Sequence, residues 1–327
     1  MADRVLVALG GNAILRHRDT GTAEEQFENV RAACRHLVAM IGDGCSIAIT
    51  HGNGPQVGDI LLKNELAKET LPPMPLDVCG AESQGMIGYM LQLSMRRELA
   101  LAGLDLPVAT VLTQTLVRRD DPAFENPTKP IGPYYTAMQA SRLAEEKGWS
   151  MVNEPGRGYR RVVPSPDPAE ILEGTTIRQL FDQGVIVVAC GGGGIPVAAD
   201  DRGMLEGVEA VVDKDHAAAL FASIIAADTL LILTDVEQVA LNYGRPDERP
   251  LGAITAADAG RYLAEGHFPP GTMGPKIESA IRFVESGGAR AIISSLERGR
   301  EALAGRAGTV ITRERSPPER SRPSQTL

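Results

Sequence analysis

The sequence predicts an α/β fold, an open and mostly parallel sheet in an α/β/α sandwich with one inserted lid subdomain. Three observations predict it. Short aliphatic runs alternate with segments of helical period. The runs are almost wholly apolar rather than apolar at every second residue, as expected of strands buried on both faces. One long stretch, residues 117–168, interrupts the alternation with Pro, Arg and Asp, too long for an ordinary connection.

The first run, residues 5–9, leads to Thr22-x-x-Glu25, the pattern of a capping box. Phe27, Val30, Cys34, Leu37, Val38 and Ile41 then fall on one helical stripe. Further strand-like runs lie at 46–50, 108–112, 185–189, 229–234, 291–294 and 309–312. Further helices are predicted at about 83–102, stopped by Gly103, at 215–226, and at 275–286, with Pro275 in the first turn and Gly287 at the end. Residues 1–313 are thus expected to form one domain carrying the insert. The tail, 314–327, has almost no apolar residues and is expected to be disordered.

Composition narrows the function classes. Of 327 residues, 43% are hydrophobic and 23% charged, and no run of 18 apolar residues exists to span a membrane. The N-terminus lacks the long apolar region of a secretory signal, so a cytoplasmic location is expected. Cys34, Cys45, Cys79 and Cys190 are widely spaced without a C-x-x-C pair, which points to reduced thiols and to no metal-ligating set. A formal net charge of −9 argues against nucleic acid and for small-molecule ligands.

The candidate site begins with glycines after strands. Leu9-Gly10-Gly11-Asn12 closes the first run, Thr50-His51-Gly52-Asn53-Gly54 the second, and Gly191 to Gly194 a third. In a parallel sheet such loops share the carboxyl edge, where ligands bind. Glycine lets backbone N–H groups approach an anion closely, although a tight turn would also select it. Neither G-x-x-x-x-G-K-[ST] nor G-x-G-x-x-G occurs, so phosphate is expected to be handled by another design. Lys129, Lys214 and Lys276 each lie among Gly, Pro or Asp rather than on a polar helix face. Converging on a transferring phosphoryl group, they would neutralise its oxygens. Asp213 and Asp215, flanking Lys214, have three readings: holding its ammonium, reaching Mg²⁺ indirectly, or capping the following helix.

In order, Val7-Ala-Leu-Gly-Gly-Asn12, Thr50-His-Gly-Asn-Gly-Pro-Gln-Val-Gly58, Asn126-Pro-Thr-Lys-Pro-Ile-Gly-Pro133, Val211-Val-Asp-Lys-Asp215 and Gly271-Thr-Met-Gly-Pro-Lys276 resemble the carbamate kinases of the amino-acid kinase superfamily. The resemblance spans about residues 3–313. It implies the reaction ATP + carbamate ⇌ ADP + carbamoyl phosphate, with Mg²⁺, in a homodimer, within arginine or purine catabolism. It also implies that Lys129, Lys214 and Asp215 are catalytic. Gly10, Gly11, Asn12, Gly52, Asn53 and Gly54 would hold the carbamoyl-phosphate end, while Asp235, Asn242, Tyr243, Met273, Gly274 and Lys276 would approach the nucleotide. Most relatives in the superfamily carry a Lys just before the first glycine pair. Here Ala8-Leu9 stands there, as is typical of carbamate kinases, and the lid lysine is expected to supply the missing charge. Asp235 departs from the Gly of many relatives.

The chemistry requires no general base, because carbamate is already an anion and needs mainly alignment with the phosphoryl donor. His51 is therefore read as structural. Two other readings compete: a kinase of the same superfamily acting on another small carboxylate, and a non-catalytic nucleotide or anion sensor. Retention of all three lysines weighs against the sensor.

Overall fold

The first strand shows how the sandwich arises. In β1 (Arg4–Leu9), Leu6 and Ala8 point into one core, while Val5, Val7 and Leu9 point into another. Both sets are fully buried, and this is why the run contains no polar alternate. The computed structural model describes residues 2–16, 19–269 and 271–314.

The other strands of the main sheet are β2 (Ser46–His51), β3 (Val108–Thr110), β4 (Ile186–Val188), β5 (Thr229–Thr234), β6 (Ala253–Thr255), β7 (Arg290–Ser295) and β8 (Thr309–Thr312). Their spatial order is β6-β8-β7-β5-β1-β2-β4-β3. Pairing is parallel except between β7 and β8, so the sheet is mixed only toward one edge. Every strand run read from the sequence belongs to this sheet; β6, a short edge strand, was not anticipated.

Helices cover both faces. Helices α1 (Ala23–Gly42) and α3 (Leu76–Leu101) pack through Val30, Cys34, Leu37, Ile87, Leu91 and Met95 on one side. On the other, α5 (Gly174–Asp182), α6 (Lys214–Ile224), α7 (Ala256–Ala264) and α8 (Met273–Glu285) pack through Phe181, Phe221, Ala222, Ala259, Ile277 and Phe283. The capping box forms as predicted: Thr22 Oγ accepts from Glu25 N at 3.2 Å and Glu25 accepts from Thr22 N at 3.0 Å. Helix α3 begins seven residues before the predicted start, because Pro75 at the N-cap opens it. Helix α2 (Gly54–Ala67) directly follows the second glycine loop.

Within the insert, Lys129–Tyr135, Gly158–Val163 and Ser150–Glu154 form a separate antiparallel three-stranded sheet, with α4 (Ala137–Lys147) against it. It meets the body through Ile131 and Val163, packed on Val57, Ile60, Leu76 and Cys79. Gln114–Leu116 pairs outside this small sheet, with Ile195–Ala199 and Glu170–Ile171. Beyond Glu314 the predicted tail lies outside the described residues. Among the described residues no helix is long and apolar enough to cross a membrane.

Candidate active site

The loops after β1 and β2 meet in the middle of the sheet because β1 and β2 are neighbours. Gly10 N donates to Leu233 O at 2.9 Å, and a Cβ there would sit 3.0 Å from the same oxygen. Gly52 N donates to Leu9 O at 3.0 Å, and its missing Cβ faces Gly11 N at 3.3 Å. Two chain segments can approach this closely only without side chains. Gly11 and Asn12 form the single turn Gly11–Ala13. Asn53 is the N-cap of α2, whose first residue is Gly54, and its amide donates to Ser83 Oγ at 2.8 Å. Gly10 N and Gly52 N are spent within the sheet, and the amino end of α2, opening directly after the second loop, suits an anion.

The four-glycine loop buttresses this space. A Cβ on Gly191 would fall 2.4 Å from His51 Nε2, and one on Gly192 2.2 Å from Asn53 Nδ2. Gly192 also holds φ +66°, in the left-handed region. His51 is buried and donates from Nδ1 to Gly52 O at 3.0 Å. Burial, aided by the Lys214 charge and opposed by the Gly52 bond, pushes its pKa down to about 4. The ring is neutral and packed, which agrees with a structural role.

The lysines converge. Asp215, at the start of α6, receives Lys214 Nζ at 2.6 Å on Oδ1 and Lys276 Nζ at 2.9 Å on Oδ2. Lys276 comes from α8, which packs beside α6, and Ser279 Oγ donates to the Asp215 carbonyl to lock the pair. Lys129, at the start of the insert's first strand, reaches Asp213 Oδ2 at 2.7 Å. Asp213 is also the N-cap of α6, its Oδ1 accepting from Asp215 N at 2.9 Å. Ion holding and capping are therefore both realised, and every oxygen of these two carboxylates is engaged within the protein. Burial would raise the Asp215 pKa, but the Lys214 and Lys276 charges outweigh it and hold the carboxyl well below the usual range. For Lys214, burial wins over its carboxylate partners and lowers the pKa. Lys214 Cδ lies 3.8 Å from where a Gly52 Cβ would stand, so this lysine packs beside the Gly52 loop.

Beside the cluster opens a cavity of about 670 Å³ lined by Gly10, Gly11, Asp235, Tyr243, Met273 and Lys276 among others. Its size suits a nucleotide. Asn242 and Gly274 do not line it. Asn242, at φ +56°, spends its amide on Asp247 at 2.7 Å and its oxygen on His267 at 3.1 Å. Gly274 is buried in α8, where a Cβ would crowd Pro269 O at 3.2 Å. Val236 and Phe268 do line the cavity, although no motif marked them, since an apolar cavity wall looks like core in a sequence.

The amino acid kinase family model matches residues 3–295. A carbamate kinase of Thermococcus kodakarensis is 52% identical over 314 residues, covering 95% of this chain and 99% of that protein. One from Clostridium perfringens is 47% identical, covering 95% and 100%. The solved carbamate kinase of Giardia lamblia bound to AMP-PNP superposes with TM-score 0.90 at 42% identity, covering 95% and 98%. The chain belongs to the carbamate kinases. It is a phosphotransferase, with the α/β fold of the amino acid kinase family.

Proposed function

We propose that the chain transfers a phosphoryl group reversibly between ATP and carbamate at the lysine cluster, ATP + carbamate ⇌ ADP + carbamoyl phosphate. The observation that carries this reading is the convergence of Lys129, Lys214 and Lys276 on two adjacent carboxylates, between an anion-suited glycine cradle and a nucleotide-sized cavity. Three ammonium groups against two carboxylates leave positive charge where the equatorial phosphoryl oxygens gather negative charge. A carbamate oxygen attacks the γ-phosphorus as the bond to ADP breaks, and no proton needs removal. Asp215 holds Lys214 and Lys276 at fixed spacing so that no reorganisation is needed during transfer. Gly10, Gly11, Asn12, Gly52, Asn53 and Gly54 hold the carbamoyl-phosphate end. Asp235, Tyr243, Met273 and Lys276 meet the nucleotide, while Asn242 and Gly274 shape the cavity from behind. The AMP-PNP complex of the Giardia lamblia relative supports the nucleotide assignment.

Mg²⁺ enters as the nucleotide's own counterion. Among the described residues no three His, Cys, Asp or Glu side chains cluster as a metal cage, and Asp213 and Asp215 are spent on other partners. No step is assigned to the ion. The insert, 117–168, acts as a lid that brings Lys129 over the acceptor end. Its own small sheet, separate from the main one, supports this role. The reading further places the enzyme in the cytoplasm as a homodimer serving arginine or purine breakdown. ATP formation from ADP, with carbamoyl phosphate or acetyl phosphate as donor, tests the assignment: a preference of about tenfold or more for carbamoyl phosphate is expected. Equal use would mark a general acyl-phosphate kinase.

A further inference from the structure

His216 follows Asp215 on α6 and belongs to none of the motifs above. Its Nδ1 lies 3.0 Å from Asp167 Oδ1 and its Nε2 lies 3.0 Å from Glu278 Oε2. Both ring nitrogens are therefore engaged, one on each side of the ring, so the side chain bridges two carboxylates. Asp167 is gripped further by Arg282, whose guanidinium donates to Oδ1 and Oδ2 at 3.1 Å each. Asp213, Lys214 and Asp215 are the other charged groups on the same helix end. The His216 side chain is only 14% exposed, so these bonds are partly shielded from water.

The four residues come from three segments. Asp167 is on the return segment of the insert, His216 on α6, and Glu278 and Arg282 on α8, two and six residues after Lys276. Asp167 N also bonds Asp121 Oδ2 at 3.1 Å, which ties the two ends of the insert together. The return segment reads Val163-Pro164-Ser165-Pro166-Asp167-Pro168, in which three prolines fix every second φ. Pro164 O is held by Val211 N at 3.0 Å. Val163 is the strand partner of Lys129. A stiff strut of four residues thus connects the His216 contact to the residue paired with the lid lysine.

We propose that His216 is a positioning residue: bridging Asp167 and Glu278, it fixes the root of the lid to the helices carrying Lys214, Asp215 and Lys276, and so sets where Lys129 stands over the carbamoyl-phosphate end. The inference rests on the assignment of Lys129 above. His216 touches neither substrate; it acts through Asp167, the proline strut and the Lys129–Val163 pairing.

The test uses the full-length His216→Leu and Asp167→Asn enzymes, the second nearly isosteric so that packing is kept. In each, the KM for carbamoyl phosphate should rise about three- to tenfold while the KM for ADP stays within about twofold, as loosening of one end of the site requires. The double variant should be no worse than the more affected single, since both break one link. Deuterium uptake at residues 129–135 should rise in both. A merely structural role would lower Tm and kcat and leave the two KM values moving together. That outcome, or unchanged KM and unchanged exchange at 129–135, would overturn the proposal. If the wild-type enzyme makes no ATP from carbamoyl phosphate, the functional reading fails, and the exchange measurement still decides whether His216 holds the lid root.

Discussion

Lys129 and Asp213, 84 residues apart in the chain, form an ion pair of 2.7 Å that joins the insert to the N-terminus of the helix bearing Lys214 and Asp215. Lys129 therefore shares one electrostatic unit with the two body lysines.

Charge reversal at this position should hurt more than neutralisation. Lys129→Ala removes one attraction, whereas Lys129→Glu sets a third carboxylate beside Asp213 and Asp215 and against an anionic substrate. Steady-state kinetics should show a larger loss of kcat/KM for carbamoyl phosphate in Lys129→Glu than in Lys129→Ala. The KM for ADP should stay nearly constant in both. Equal losses would remove the electrostatic role.

Lys214 is nearly buried against both Asp215 and the Gly52 loop. Lys214→Ala should fold and lose roughly 10²–10³-fold in kcat, the effect of deleting one preorganised transition-state donor. A folded variant with near wild-type turnover would demote the residue to an ion-pair partner of Asp215.

The four-glycine loop gives a backbone prediction. Gly192→Ala forces a Cβ into the Asn53 amide at a left-handed φ, so it should destabilise by about 1–3 kcal/mol and reduce turnover by displacing Asn53. Gly203→Ala is the control, because its φ is +78° but no atom lies within 4 Å of the added Cβ. Urea unfolding and kcat for both variants separate strain from displacement: matching effects would show that Asn53 does not depend on Gly192.

His51 predicts a pH dependence of stability. Its folded pKa, about 4, lies below the ordinary 6.5, so on acidification the unfolded chain takes up a proton before the folded one does. Stability is lost as pH falls from about 6.5 to about 4, by about 2 kcal/mol between pH 7 and pH 5 from this residue alone. Denaturant unfolding at those two pH values, with wild type and His51→Gln, measures it. An unchanged pH slope in the variant would mean that His51 is not held neutral.

What the sequence made legible follows from locality. β1, β2 and β5 were readable because a strand buried on both faces carries a nearly continuous apolar run, as Val5–Leu9, Ile47–Ile49 and Leu230–Leu233 do. Helix α1 was readable because Thr22 and Glu25 write its start within four residues. Helix α2 was hidden behind Gly54 and Pro55, which read as loop although Pro55 suits a first turn. β6 is three residues long and gains its place only by pairing with β8. At the site, the glycines and lysines stood out by their neighbours. The pairing of Lys129 with Asp213 and of Asp215 with Lys276 depends on tertiary packing, and local sequence does not encode it. Asn242, which only the resemblance assigns to the nucleotide, has its side chain bonded to Asp247 and His267 and does not line the cavity.

The central claim, that this lysine cluster moves a phosphoryl group between carbamoyl phosphate and ADP, is tested most directly by following ATP formation with a coupled enzyme assay. The purified chain is supplied with ADP, Mg²⁺ and carbamoyl phosphate. The account predicts ATP formation at a turnover on the order of 1–10³ s⁻¹, abolished to within about a hundredth by Lys214→Ala. ATP formation no faster than the enzyme-free blank, from a folded protein that binds ADP, would contradict it.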